Sequence, residues 1–536
     1  MSGESKIKST SVAESTTPDP EAAREKYGRV KRPRHSLPLR ELLLQPLPLW
    51  LWGIAVLFAV RGAFSTNPVL TPCAILLLPL LASLLWFQGE PPVLLFACAM
   101  QWLQASAAIF YSNYYELPLS QEWEFGGPEL VKATWLSLIG VLVVALGMRL
   151  ALLRHPSDVG KQAAKETRLL QPVRIFVLYL IAFVVFAVVG RVAWSMPSLA
   201  QPLLATMTLK WVLVFLLAHS VLNQRRHYAL LWIAVGLEFI TGVLGFFAGF
   251  KDIFFMLLVV LPGAHFMFKG RRLAQFCTVV TLVVALAVVW TAIKPDYREF
   301  LNQGTGQQSV LVPVDQRVEK LNELVGDITQ AKLQAGLEDS VLRMSYVKYF
   351  ALSIVNVPAN IPHENGALWL GAVKHVLTPR LLFPNKAALD DSEIASHYTG
   401  IEVAGAERGT SIGIGYMGES YIDFGPVGMF APILLLGLFY GFIYRFFACH
   451  HPVKVVGFAM ATAILIFGAY TIETSSAKLV GGNLLGLLVV GLFAKFAGPW
   501  FWKQISNQGV SLPEPRKGRL PAVRPGRRIS RRPPEL

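Results

Sequence analysis

The feature that most limits this chain is a series of long apolar runs. A helix that crosses a bilayer needs about 20 mostly apolar residues, because a rise of about 1.5 Å per residue must cover about 30 Å of hydrocarbon. About twelve segments meet that need. Nine lie near residues 47–64, 68–87, 91–111, 130–153, 173–194, 203–223, 228–250, 252–268 and 273–293, and three near 427–447, 455–472 and 479–500. Apolar residues make up 54% of the chain and charged residues 15%, where a soluble chain carries about a quarter charged. The expected fold class is all-α: a polytopic membrane protein of about twelve transmembrane helices.

The net charge of +15 is unevenly placed. Basic residues crowd the N-terminal "KYGRVKRPRHSLPLR" and the C-terminal "EPRKGRLPAVRPGRRISRRPPEL". The linkers "RLALLRHPSDVGK", "NQRRH", "FKGRR" and "YRFFACHHPVK" fall on the same side of the span pattern as these tails. Lys and Arg mark the cytoplasmic side and attract anionic lipid, so both termini are expected in the cytoplasm. No aromatic residues interleave the basic tail to stack bases, so no nucleic-acid partner is expected. The polar N-terminal stretch of about 45 residues makes the first span an uncleaved anchor. The link between Trp86 and Pro91 has no basic residue, so spans two and three read either as full crossings or as a re-entrant pair. Cys73, Cys98, Cys277 and Cys449 lie within or beside apolar spans and none has metal-ligand spacing. No disulfide framework, metal or cofactor is expected from them.

The chain divides accordingly. Residues 1–46 form a basic cytoplasmic tail, 47–293 the first nine spans, 294–425 a large external loop, 426–502 the last three spans, and 503–536 a disordered basic cytoplasmic tail. A loop that long is usually functional. Within it Val318, Leu321, Val325 and Ile328 recur at helical spacing. "GALWLGAVKHVLTPRLLF" is apolar but carries Lys374, His375 and Arg380, which suits a helix lying in the interface. Pro379 and Pro384 then break the chain.

Charges at membrane depth are costly and need partners. Arg61, Arg191 and the pair Lys251–Asp252 lie near external span ends, where long side chains reach the headgroups. Lys210 and Glu238 lie deeper, on spans six and seven, placed to face each other as a structural pair or as part of a proton or substrate path.

The external loop carries the more specific set. Arg343, Arg380, Lys386 and Arg408 are four cations in it; arginine forks suit phosphate oxygens, and paired loop carboxylates are the alternative partners. In "TSIGIGYMGESYIDFGPVGMF" Glu419 and Asp423 are four apart, so on a helix they share a face and repel. That raises one pKa and suits a general base or acid. Asp423, followed by "FGPVG", also fits a helix start with Pro426 in the first turn. Gly413, Gly415 and Gly418 permit close approach of backbone to a ligand or of helix to helix. His363, in "IPHENG", is a candidate base or a plain surface histidine.

Many spans, one large external loop holding "PRLLFPNK", and then "GTSIGIGYMGESYIDFGPVGM" leading into the last spans resemble the bacterial O-antigen and exopolysaccharide polymerases of the Wzy type. The residues concerned are Pro379, Arg380, Phe383, Pro384 and Lys386, then Thr410, Ser411, Gly418, Glu419, Tyr421, Phe424 and Gly425. "GFFAGFKDIFFMLL" is similar to the family's charged approach to a span before the loop. The arginine–glycine spacings of some members do not recur, which leaves donor and acceptor arginines unassigned. The resemblance implies a multi-pass glycosyltransferase of the bacterial inner membrane with a periplasmic loop. It would transfer a growing glycan from a polyprenyl-diphosphate carrier to the next lipid-linked repeat unit, without metal or nucleotide sugar. Partners implied are the lipid-linked oligosaccharide, membrane lipid, a chain-length co-polymerase and a flippase. The expected substrate-binding residues are Arg343, Arg380, Lys386 and Arg408 for diphosphate and Tyr416 and Tyr421 for sugars; Glu419 and His363 are the candidate catalytic groups. An O-antigen ligase and a glycan transporter are the alternatives.

Overall fold

The computed structural model describes residues 44–122, 126–156, 158–196, 198–246, 249–263, 270–305, 310–380, 382–383, 385–386, 389–405 and 411–507. Among them there is no strand; the one extended pairing is an isolated bridge between Leu170 and Ser506. Each of the twelve apolar segments holds a helix. In chain order these begin with α1 (Leu49–Gly62), α2 (Leu70–Leu85), α3 (Val93–Tyr114) and α4 (Pro128–Ala151), followed by the short α5 (Val159–Thr167). Next come α6 (Pro172–Ser195), α7 (Ala200–Thr206), α8 (Thr208–Gln224), α9 (Tyr228–Val243), α10 (Lys251–Gly263) and α11 (Gly270–Asn302). After the loop region stand α18 (Phe430–His450), α19 (Lys454–Gly468), α20 (Ser476–Phe496) and the short α21 (Gly498–Ile505). The loop region itself supplies α12 (Val314–Gly326), α13 (Gln330–Met344), α14 (Val347–Asn356), α15 (Ala367–Leu377), α16 (Asp391–Thr399) and α17 (Tyr416–Gly428).

Among the described residues, seven helices are long and apolar enough to cross a membrane: α3, α4, α6, the joined α7 and α8, α11, α18 and α20. The helices in four of the other segments, α1, α2, α9 and α19, have 14 to 16 residues, and α10 is described from Lys251 to Gly263. On α6 the side chains of Val177, Ile181, Val184 and Val188 are exposed at helical spacing. Such an apolar face open to the surroundings is what contact with lipid requires.

The centre of the bundle is α4 against α18, which run parallel and are separated by almost nothing. A Cβ on Gly147 would stand 2.5 Å from the Leu434 carbonyl, one on Gly437 2.3 Å from the Val144 carbonyl, and one on Gly441 2.6 Å from the Met148 carbonyl. Glycines therefore set the interaxial distance, as small residues do in membrane helix pairs.

Several expectations change. The stripe at Val318, Leu321, Val325 and Ile328 is not one helix: α12 ends at Gly326, Thr329 caps α13 by accepting from the Lys332 N–H, and Ile328 lies between them. Val318 and Val325 are exposed; Leu324 is the residue of α12 that is buried. Residues 503–505, expected in a disordered tail, belong to the helix α21, and the Gln171 N–H donates to the Ile505 carbonyl and the Asn507 N–H to that of Leu169. The segment expected to lie in the interface forms a helix, α15, with Leu370, Val373 and Leu377 exposed along it.

Candidate functional site

The chain between α19 and α20 is unwound. Residues 469–475, "AYTIETS", leave helical hydrogen bonding between two apolar helices. Backbone polar groups at such depth must find partners. Gln101 and Gln104, one turn apart on α3, supply them. Gln101 Nε2 donates to the Ala469 carbonyl at 2.7 Å, and Gln104 Oε1 accepts from the Ile472 N–H at 2.9 Å. Tyr440 and Asn483 both donate to the Gly468 carbonyl. The glycine tract before α17 lies directly on this break. Tyr416 N–H donates to the Thr474 carbonyl, and a Cβ on Gly415 would stand 2.0 Å from the Ile472 carbonyl oxygen. Gly415 also has φ +90° and ψ 155°, a region open essentially to glycine alone.

Both carboxylates of α17 hold the starts of other helices. Glu419 Oε2 accepts the Ser476 N–H, the first of α20, at 2.8 Å. Asp423 accepts from Leu368 and Trp369, at 3.0 and 2.8 Å, in the first turn of α15. A carboxylate at a helix N-terminus is favoured by the dipole and by the orphan N–H groups. The expected helix start with Pro426 in its first turn holds: Gly425, at φ +71°, divides α17 in two and Pro426 opens the second part, while Asp423 ends the first part and caps α15. The sharing of one face does hold. Burial raises the Glu419 pKa to about 7, against the pull of the Ser476 bonds, with the charges of Asp391 and Asp423 adding to the rise. Burial also raises that of Asp423, opposed by its bonds to α15.

Around the break stand further charges. Asp391, buried at the start of α16, pairs with Lys478 at 2.7 Å, and Lys478 donates to Ser411. Asp391 Oδ1 and Ser475 Oγ are buried with no hydrogen-bond partner among the described residues. Glu473 has an open face; protein packed around its other sides raises its pKa, and Lys251 opposes that rise. The Lys251 ammonium stands 5.9 Å from the Tyr470 ring centroid. Lys294 lies within electrostatic range of Lys251, Arg298 and Arg343. Arg298 donates to the Phe246 carbonyl and stands 4.6 Å over its ring, while Arg343 is exposed. The result is a group of four cations, Lys251, Lys294, Arg298 and Arg343, gathered around Lys294, with Asp252 and Glu473 as the carboxylates that act on Lys251. The Glu473, Asp391 and Glu419 carboxylates stand at the break.

The expected site residues separate. Arg343 belongs to the cation group around Lys294, and Glu419 is buried against the start of α20. Arg380 and Lys386 form another group: Arg380 donates to the Lys386 carbonyl and Lys386 to that of His375. Burial lowers the His375 pKa, and the charges of Lys386 and Arg380 lower it further. Arg408 lies outside the described residues. His363 packs against Tyr421 and donates from Nδ1 to the Ile422 carbonyl, which leaves Nε2 facing Gly425. Tyr416 and Tyr421 present no open ring. Both are buried, with hydroxyls bonded to Gln101 Oε1 and the Val357 carbonyl, so they serve packing. Lys210 and Glu238 meet at 2.7 Å, with the Tyr179 hydroxyl as a third member.

Glu473, Asp391, Lys478, Lys294 and Arg298 escaped sequence reasoning. "TIETSS" carried the available signal for Glu473, a charge in a Ser/Thr-rich interruption between two apolar runs. No group of three or more His, Cys, Asp or Glu placed to hold a metal occurs among the described residues.

A family model described as "Domain of unknown function (DUF8712)" matches residues 140–484. That match runs from within α4 into α20 and takes in the break and the carboxylates around it. No curated protein and no solved structure matches the chain.

Proposed function

The chain belongs to the DUF8712 family of domains of unknown function, and from that premise we propose that it polymerises lipid-linked oligosaccharide repeat units at a membrane surface. The observation that carries this reading is the group of Lys251, Lys294, Arg298 and Arg343, with Glu473 close enough to Lys251 to feel its charge. Cations held together attract an anion, and a diphosphate supplies several charged oxygens. In the reaction proposed, the acceptor hydroxyl gives its proton to Glu473 and its oxygen bonds to the donor's anomeric carbon. The bond from that carbon to the diphosphate breaks, and polyprenyl diphosphate leaves with its charge stabilised by the four cations. Glu419 is a positioning residue: it fixes the start of α20 and through it the break that carries Glu473.

This reading takes all twelve apolar segments as crossings of a bacterial inner membrane, with both tails cytoplasmic and 294–425 periplasmic. The four short helices, α1, α2, α9 and α19, then cross with help from flanking loops and local thinning of the bilayer. A ligase that moves finished glycan to a lipid core shares the same chemistry. A transporter reading has its own support in the helix break between α19 and α20 and in the buried Lys210–Glu238–Tyr179 group, since interrupted helices and buried charges line transport paths.

The glycolipid profile of a deletion strain separates the three. Single repeat units on exported carrier lipid support the polymerase. Long chains unattached to core support the ligase. Lipid-linked units retained on the cytoplasmic face support the transporter.

A further inference from the structure

At the far ends of α4 and α18, away from the break, a second cluster of reactive groups is buried. Its members come from three separate places in the chain. Glu90, in the link between α2 and α3, contacts His155 Nε2 through both carboxylate oxygens, at 2.8 and 3.0 Å. The Tyr444 hydroxyl donates to Glu90 Oε2 at 2.8 Å and fixes the carboxylate. Cys449 Sγ lies 3.3 Å from His155 Nδ1. Phe87 packs on the imidazole at 5.3 Å, and the Arg149 guanidinium stands 5.1 Å over the outer face of Phe87. Further charges nearby are Lys454, which donates to the Cys449 and His451 carbonyls, Glu166, which accepts from the Val455 N–H beside it, and Arg445, which donates to the Ala151 carbonyl.

The order thiol, imidazole, carboxylate has a chemical consequence. A carboxylate can only accept at Nε2, so Nε2 carries a hydrogen and Nδ1 is the nitrogen left to take the thiol proton. That is the arrangement that activates a sulfur nucleophile. Burial by itself lowers the His155 pKa; the bonds to Cys449 and Glu90 outweigh it and raise the value to about 9. Cys449 is also accessible. It is partly exposed, and it closes a lipid-facing stripe on α18 in which Phe442 and Phe446 precede it by seven and three residues. A long acyl chain bound at Cys449 has that apolar stripe to lie against, while Lys454 and Arg445 bring positive charge to the headgroup side.

We propose that Cys449 is a base-activated nucleophile that accepts a long-chain acyl group from an acyl thioester at the membrane surface opposite the break. The thiol proton passes to His155 Nδ1, and Cys449 Sγ bonds to the acyl carbonyl carbon. The donor's carbon–sulfur bond breaks, and the departing thiolate takes the proton back from His155. The products are an S-acyl Cys449 and a free donor thiol. The cluster shares no residue with the cation group or the break, so the proposal stands apart from the glycan-polymerising reading.

The test uses the full chain in nanodiscs with an alkyne-bearing palmitoyl-CoA, and reads labelling at each cysteine by peptide mass spectrometry. Cys73 and Cys277 are the internal references: both are exposed, and neither hydrogen-bonds a histidine among the described residues. The expected result is label on Cys449 roughly a hundredfold faster than on either reference, the scale of a positioned base. Hydroxylamine should release that label, as it does a thioester. His155→Gln combined with Glu90→Gln keeps the pocket neutral and should bring Cys449 down to the reference rate. Equal rates at the three cysteines in the wild-type chain, which need no variant, would overturn the proposal. So would a double variant that labels as fast as wild type.

Discussion

Glu419 Oε2 accepts the backbone N–H of Ser476 at 2.8 Å, so a carboxylate near the start of one helix holds the first turn of another 57 residues later. Through this bond α17 is fastened to α20 at the point where the α19–α20 pair unwinds. The break and the glycine tract are one structural unit, and further charges stand around it.

That relationship sets a pH dependence. The Glu419 pKa is raised from 4.5 to about 7, so the folded state binds the proton more tightly than the unfolded chain does. Its contribution is full below the unfolded value and is lost as pH rises through the folded one. The rise corresponds to about 3 kcal/mol. The melting temperature in detergent should therefore fall between pH 5 and pH 8, and Glu419→Gln should flatten that fall. An unchanged slope in the variant would place the titration elsewhere.

Gly415→Ala should destabilise the fold by at least about 2 kcal/mol, since it combines a backbone region closed to other residues with a backbone clash. Gly482→Ala, where an added Cβ meets nothing within 4 Å, should be neutral or slightly stabilising by helix propensity. Thermal unfolding of the two variants checks the contrast.

The α4–α18 contact predicts a second glycine effect. Gly437→Ala has to push the Val144 backbone away, at a cost of about 1–3 kcal/mol typical of overpacking. Gly491→Ala on α20, with open space around it, is the control, read in the same melting experiment.

Lys210→Ala leaves Glu238 buried with only Tyr179 for a partner and should cost about 3–5 kcal/mol. Lys210→Met with Glu238→Gln removes both charges and should recover most of that loss. If the double variant stays folded but cannot support glycan export, the pair belongs to a transport path rather than to packing.

Much of this architecture is legible in the sequence, and the part that is not has a physical reason. Apolar runs reveal helices because bilayer and core impose the same composition, and Lys210 facing Glu238 follows from helix return between neighbouring spans. The four short helices show the limit: hydropathy reports an apolar run, while helix length also depends on breaks such as 469–475. Asp391 and Lys478 meet across 87 positions with no local pattern to announce them. Tyr416 and Tyr421 look like sugar contacts because an aromatic ring with a hydroxyl suits either role. Only their burial, and the acceptors at Gln101 and Val357, decide for packing. Arg343 and Arg380 read as one cation set along the chain, yet they fall into separate groups.

That separation gives the most direct measurement of the central claim. Membranes carrying the chain are supplied with lipid-linked repeat units, and product length is resolved on a gel for Lys294→Ala with Arg343→Ala and for the wild type, at matched protein levels. If these cations hold the departing diphosphate, the double variant should extend chains at least about a hundredfold more slowly, the scale of lost electrostatic stabilisation. Polymer of normal length at the normal rate would contradict the account.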